Sequence, residues 1–185
     1  LDLKTSYSKK ISRPTFEDLN PSIDYIDSLT YFQGNPNLTA EIQHSFGVNL
    51  IYKKYASLGM TYVRRNNLLS WNAMQDDTNP VVTKATQVNI DHSDSYSVDL
   101  VLPYQNNLLT TSLATGAIFT KTKDESIKNL SKLMWYLYIN MNINLCRDFS
   151  FATNIRYFTK GVENVFYFDP VFRMDITSVR RKNLR

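Results

Sequence analysis

The sequence predicts an all-β fold: an antiparallel, up-and-down transmembrane β-barrel segment, about eight strands of a larger barrel. Three observations carry this. Apolar and polar residues alternate with period two through most of the 185 residues. The links between alternating runs are short and long by turns, as in a barrel with tight turns at one rim and long loops at the other. Aromatic residues fall near the ends of the outward positions, where a bilayer has its interfaces.

Each run in turn supports the reading. LDLKTSYSKKI puts Leu1, Leu3, Thr5, Tyr7 and Ile11 on one face, with a break at Lys9. EIQHSFGVNLIYK places Ile42, His44, Phe46, Val48, Leu50 and Tyr52 on one side and Glu41, Gln43, Ser45, Gly47 and Asn49 on the other. YASLGMTYVRR follows after little more than Lys53-Lys54, and QVNIDHSDSYSVDLVLP keeps Val88, Ile90, Tyr96, Val98, Leu100 and Leu102 in phase. A turn, PYQNN, leads into LLTTSLATGAIFTKT, the least regular run. LSKLMWYLYINMNINLC is the clearest: Leu133, Trp135, Leu137, Ile139, Met141, Ile143 and Leu145 alternate with Lys132, Met134, Tyr136, Tyr138, Asn140, Asn142 and Asn144. Arg147-Asp148 turns the chain into FSFATNIRYFTK. A short GVEN link then opens VFYFDPVFRMDITSV, with Phe166, Phe168, Phe172, Met174 and Ile176 on one side. Pro170 inside that run is tolerated only at an edge, a bulge or an irregular end.

The connections at 53–54, 103–107 and 147–148 are tight; those at 13–40, 72–82 and 123–130 are long and polar, with 161–165 a shorter link on the long side. Counted up from each tight turn, Tyr52 and Phe149 stand low on the outward face, while His44, Tyr62, Tyr96, Trp135 and Tyr157 stand about one bilayer span higher. Phe46, Val48, Leu58, Met60, Leu100, Ile139, Met141 and Ile155 occupy the middle, and Arg64 is the first outward charge of its strand, where the membrane should end. The mean hydropathy of −0.33 agrees with this, because lumen-facing polar residues and loops dilute an apolar belt. The 24 aromatic residues (12 Tyr, 10 Phe, 2 Trp) against 5 Gly also suit strands with one polar face. A soluble carbohydrate-binding β-sandwich is the alternative, with the outward aromatics turned into an internal core and loop lengths spread evenly over both ends.

Composition excludes several function classes. The net charge of +4 is small and scattered, and only VRRKNLR is locally basic, so no nucleic-acid surface is expected. Cys146 alone cannot form an intrachain disulfide or a cysteine-rich metal site. His44 and His92 have no His or Cys partner at ligand spacing, so no metal or cofactor is expected. Asp76-Asp77 and Asp91 to Asp94 read as solvated loop and rim residues, and no nucleophile, base and orienting group stand in a catalytic pattern: the chain is not expected to be an enzyme. Asn37-Leu38-Thr39 and Asn129-Leu130-Ser131 match the glycosylation pattern.

The segment SYSKKISRPTFEDLNPSIDYIDSLTYFQGNPNLTAEIQHSFGVNLIY carries a further signal: ISRP at the top of one strand, then LNP, then GNPNL and an acidic residue opening the next strand. It resembles the outer-membrane β-barrel of the TonB-dependent receptor superfamily, above all the barrel-family proteins common in Bacteroidetes. The usual last element reads Gly-Asn-Pro-x-Leu-x-Pro-Glu; here Thr39-Ala40 replace the second Pro and Glu41 comes one place late. In this reading Gly34-Asn35-Pro36-Asn37 closes a long extracellular loop. Gly34 supplies unusual backbone angles, Pro36 forces Asn35 extended, and Glu41 points into the lumen at the head of a descending strand.

The resemblance implies a receptor or transporter of the bacterial outer membrane, with membrane lipid around it, energised by the TonB complex through parts outside this stretch and taking up a nutrient ligand. A passive or structural outer-membrane barrel shares the same patterns without a plug. Residues 1–185 are expected to be part of one outer-membrane β-barrel domain, a fragment whose plug domain and remaining strands are absent. Ligand is expected to meet the 13–40 loop through Arg13, Tyr25, Asp27 and Tyr31, with Phe16 and Phe32 nearby. The alternative is that Arg13, Asp18 and the loop aromatics simply hold the loop to its neighbours. Lumen-facing Asp99, Arg156, Arg173 and Asp175 are expected to pair with one another or with a plug.

Overall fold

The computed structural model describes residues 1–76, 78–124, 130–146, 149–164 and 166–180. Asp77, Asn129, the Arg147-Asp148 turn and the basic end at 181–185 lie outside the described residues.

Alternation becomes strand almost everywhere. In chain order the elements are β1 (Asp2–Ser12), a one-turn helix α1 (Phe16–Leu19), the short strands β2 (Ile23–Asp27) and β3 (Thr30–Gln33), then β4 (Glu41–Tyr52) and β5 (Ala56–Gln75). They continue with β6 (Thr83–Gln105), β7 (Leu109–Lys123), β8 (Leu130–Cys146), β9 (Phe149–Phe158), the short strands β10 (Gly161–Glu163) and β11 (Phe166–Phe168), and β12 (Val171–Arg180). Eight of them pair antiparallel in the order β1-β4-β5-β6-β7-β8-β9-β12. This is the wall of a barrel that is open: β1 and β12 stand at its two edges.

Register explains why this pairing wins. Leu3 faces Leu50, Leu50 faces Leu58, and Leu58 faces Leu100; one position along, Val48, Met60 and Val98 line up in the same way. A slip of one residue on any strand would turn its apolar set into the lumen and its Ser, Asn and Asp toward lipid. The outward face stays uncovered, with Phe46 49%, Met60 50% and Trp135 56% exposed. The sandwich alternative needs these side chains packed in a core, so it does not hold.

Hydroxyl groups separate the two faces as a membrane requires. Outward Thr111, Thr115 and Thr153 each donate to a carbonyl of the neighbouring strand, of Asn140 at 3.0 Å, Tyr136 at 2.9 Å and Asp175 at 3.0 Å. In hydrocarbon nothing else could satisfy them. Among lumen-facing hydroxyls, several reach side chains on the neighbouring strand: Ser93 to Thr122 at 3.2 Å, Ser57 to Asn49 at 2.8 Å.

Buried apolar side chains are few, and they lie at or beyond the upper strand ends: Tyr31, Leu38, Leu68, Ile90 and Leu130. That upper region departs from expectation in three ways. Residues 72–75 continue β5 instead of forming loop, and β6 begins at Thr83, ahead of the alternating run that starts at Gln87, because the two strands keep pairing up to Gln75 and Thr83. The run 165–179 is not one strand: Pro170 lacks the N–H a ladder needs, so the chain breaks at Asp169-Pro170, and Phe166 and Phe168 leave the outward row for a separate hairpin. Gly34 has no positive φ. It is required for space, since a Cβ there would meet Asn20 N at 2.7 Å and Glu17 O at 2.6 Å.

Candidate functional site

The site is built from the 13–40 loop, the inward hairpin between β9 and β12, and the lumen wall below them. The loop is fastened stepwise. Thr15 caps α1 by accepting from Asp18 N at 3.2 Å, and Asp18 accepts from Thr15 N at 2.8 Å and its hydroxyl at 2.6 Å, a reciprocal capping box. Gly34 N donates to Asn20 O at 3.0 Å and Asn35 N to Asp18 O at 2.6 Å, folding the end of the loop onto the helix.

The loop then serves the strand edges that its neighbours leave open. β7 pairs with β6 no further than His92, so the β6 edge above it lacks a strand; β3 supplies one, pairing parallel with Thr83 to Ala85. On the other side β4 ends at Glu41 while β5 runs on, and the Glu41 carboxylate accepts the Leu69 N–H at 3.1 Å. Glu41 is therefore fixed to β5 rather than free in the lumen. Asn89 binds Thr39 on both its N–H, at 2.8 Å, and its carbonyl, at 3.0 Å.

Against this scaffold the four loop residues separate. Arg13, Tyr25 and Asp27 are exposed, Tyr25 with 72% of its surface in solvent. Asp27 also accepts the Leu29 N–H at 2.7 Å, shaping the β2–β3 turn. Tyr31 is buried, packs at 6.0 Å between ring centroids from Tyr25, and donates to Asp76 Oδ2 at 2.5 Å. The Thr78 and Tyr31 hydroxyls, with the Thr78 and Asn79 N–H groups, hold the Asp76 carboxyl well below the usual carboxylate range. Tyr25 is therefore presented outward on a base that the Tyr31–Asp76 contact anchors.

The lumen quartet does not form one cluster. Arg173 pairs with Asp175 two residues along β12, at 3.1 Å. Arg156 is exposed and sits across from Tyr138 on one side and Arg173 on the other. Asp99 stands apart, accepting from the Tyr136 hydroxyl and from Ser97 at 3.3 Å. Gly116 makes room for that tyrosine, since a Cβ would meet its hydroxyl at 2.7 Å and the Val98 carbonyl as well.

Sequence reasoning missed the β10–β11 hairpin, whose residues read as a short link followed by strand. It folds over the lumen face: Thr122 donates to Asn164 O at 3.0 Å, and Gly161 lies against the Phe168 ring and Met134. Between hairpin and wall lies a cavity of about 200 Å³ into which Arg65, Ser93, Ser95, Thr120 and Glu163 are gathered. Pro170 was the available signal, because it forbids the continuous strand that hid the hairpin.

The outward face carries a second ordered feature. Tyr7, Phe46, Tyr62, Tyr96 and Phe119 occupy one register row on β1, β4, β5, β6 and β7. Their ring centroids follow one another at 4.8, 6.2, 4.8 and 6.5 Å. Two positions beyond each ring, toward the loops, comes a titratable side chain: Lys9, His44, Arg64, Asp94 and Lys121. Rings at the interface with charges just outside it are the mark of a strand leaving hydrocarbon.

No curated protein matches the chain. By fold it is similar to the siderophore receptor PirA from Pseudomonas aeruginosa, seen in a crystal structure, with a TM-score of 0.51 and 12% identity. That similarity covers 95% of this chain and 39% of the receptor, so the chain spans well under half of that protein's length. Residues 1–183 match the outer membrane protein β-barrel family. An open antiparallel wall, lipid-facing aromatic rows, a polar lumen and this match agree: the chain belongs to the outer membrane protein β-barrel family and resides in the bacterial outer membrane.

Proposed function

We propose that this wall is part of a TonB-dependent receptor, of the type common in Bacteroidetes, that takes up a nutrient ligand through its extracellular loops and lumen, without catalysis. The observation that carries the reading is the mouth of the barrel: a loop fastened at many points that still presents Arg13, Tyr25 and Asp27 to solvent, above an inward hairpin that narrows the lumen. A fixed loop offering a cation, a ring and an acid suits a polar ligand with stacking surfaces, because little ordering remains to oppose binding. In the receptor reading, Asp99, Arg156 and the Arg173–Asp175 pair face a plug domain.

The structurally similar receptor is named for a siderophore, so ferric siderophores are the first ligands to try. Uptake of a labelled panel by cells carrying the intact protein should stop when a protonophore collapses the inner-membrane energy supply or when TonB is deleted. Uptake that continues unchanged under both treatments assigns the protein to passive barrels instead.

A further inference from the structure

We propose that the outward face of β5, β6 and β7, just beyond the aromatic row, holds the phosphate headgroup of an anionic lipid from the leaflet that surrounds the loops. Arg64, Asp94 and Lys121 are register neighbours on successive strands, and His92 and Lys123 are neighbours one outward position further. Strands lie about 4.8 Å apart and alternate residues about 7 Å apart, so these side chains share a patch about 10 Å across. Asp94 is the one acid at these positions. It is engaged from three sides: the Tyr62 hydroxyl at 2.7 Å, Arg64 at 3.4 Å and His92 Nε2 at 3.9 Å. Asp124, next after Lys123, instead accepts the Asp91 N–H at 3.2 Å.

Lys121 and Lys123 therefore carry the surplus. Both are exposed, and neither has an ion pair among the described residues. Directly below them the Tyr62, Tyr96 and Phe119 rings continue into the apolar belt of Met60, Val98 and Ala117. A ligand that satisfies both surfaces has phosphate at one end and acyl chains at the other. The charge complements a phosphate, and the belt beneath selects a lipid over a free anion, since only a lipid places its headgroup there while its chains stay in hydrocarbon.

The test uses the intact protein in phosphatidylcholine vesicles with trace spin-labelled phosphatidic acid or spin-labelled phosphatidylcholine, reading the motionally restricted fraction of each. Wild type should hold the phosphatidic acid label about tenfold more strongly than the phosphatidylcholine label, and Lys121→Gln with Lys123→Gln should bring the ratio near one. Lys10→Gln with Lys132→Gln removes the same charge from lumen-facing positions and should leave the ratio unchanged. A ratio unmoved by the outward pair, or lowered equally by the lumen pair, overturns the proposal. So does loss of selectivity in millimolar inorganic phosphate but not in chloride of equal ionic strength, which assigns the patch to a free anion. Heat-modifiable migration verifies folding. If the double variant fails to fold, the two single variants should each lower the ratio about threefold, and single variants that leave it unmoved overturn the proposal.

Discussion

The Tyr31 hydroxyl donates to Asp76 Oδ2 at 2.5 Å, joining a loop strand to the far tip of the β5–β6 hairpin 45 residues away in sequence. Tyr31→Phe removes this donor and keeps the ring. Hydrogen exchange of the 30–33 amides should quicken several-fold while that of β8 and β9 stays as in wild type, because the wall's ladders do not involve the loop. Unaltered exchange at 30–33 would show that the β3–β6 ladder and the other loop contacts hold this strand without the Tyr31–Asp76 bond.

The same contact has a defined pH dependence. Asp76 is held below its unfolded value, so its contribution is complete above the ordinary carboxylate pKa of about 4 and is lost only as pH falls through the lower folded value. A nitroxide at Ser28, in a Cys146→Ser background, should report an unchanged loop from pH 7 down to about pH 4. Mobility should rise only at more acidic pH. Asp76→Asn should raise mobility at neutral pH and remove its acid dependence.

Val98 lies on the outward face between Met60 and Ala117. Val98→Arg should weaken folding into vesicles by about 1–3 kcal/mol, between the cost of a guanidinium at the bilayer midplane and at its interface, since Val98 stands one outward position inside the Tyr96 row. Ser97→Arg, one residue away on the lumen face, should cost no more than about 1 kcal/mol. Equal costs at the two positions, measured by denaturant titration in lipid, would contradict the assignment of faces.

Gly116→Ala pushes a methyl group against the Val98 carbonyl and the Tyr136 ring, and drives the tyrosine hydroxyl from Asp99. Overpacking of this kind costs about 1–3 kcal/mol. Tyr136→Ser in the same chain should recover only part of the loss, because the backbone carbonyl cannot move aside as a side chain does. Full recovery would place the whole conflict in the tyrosine.

Much of the wall was legible because one face of every strand meets hydrocarbon, and that requirement writes a period of two into residues such as Leu133 to Leu145. The eight wall strands, their order and their outward faces follow from it. Above the membrane the requirement lapses. Residues 72–75 and 83–86 alternate weakly, yet they are strands because their partners and the covering loop satisfy the backbone. Phe166 and Phe168 kept the alternation and still left the wall, because Pro170 outweighs the phase.

What the sequence determined by itself is the membrane-crossing part: which face of each wall strand meets lipid, and that neighbouring strands must keep those faces in phase, since a slip exposes polar groups to hydrocarbon. The placement of the functional side chains was decided only by tertiary structure. Whether Tyr31 is offered to a ligand or buried against Asp76, whether Glu41 faces the lumen or caps Leu69, and whether 161–168 spans or folds inward depend on contacts between residues far apart in the chain. Local pattern holds no record of such contacts, because each polar group needs only some partner, and the fold chooses which one stands within reach.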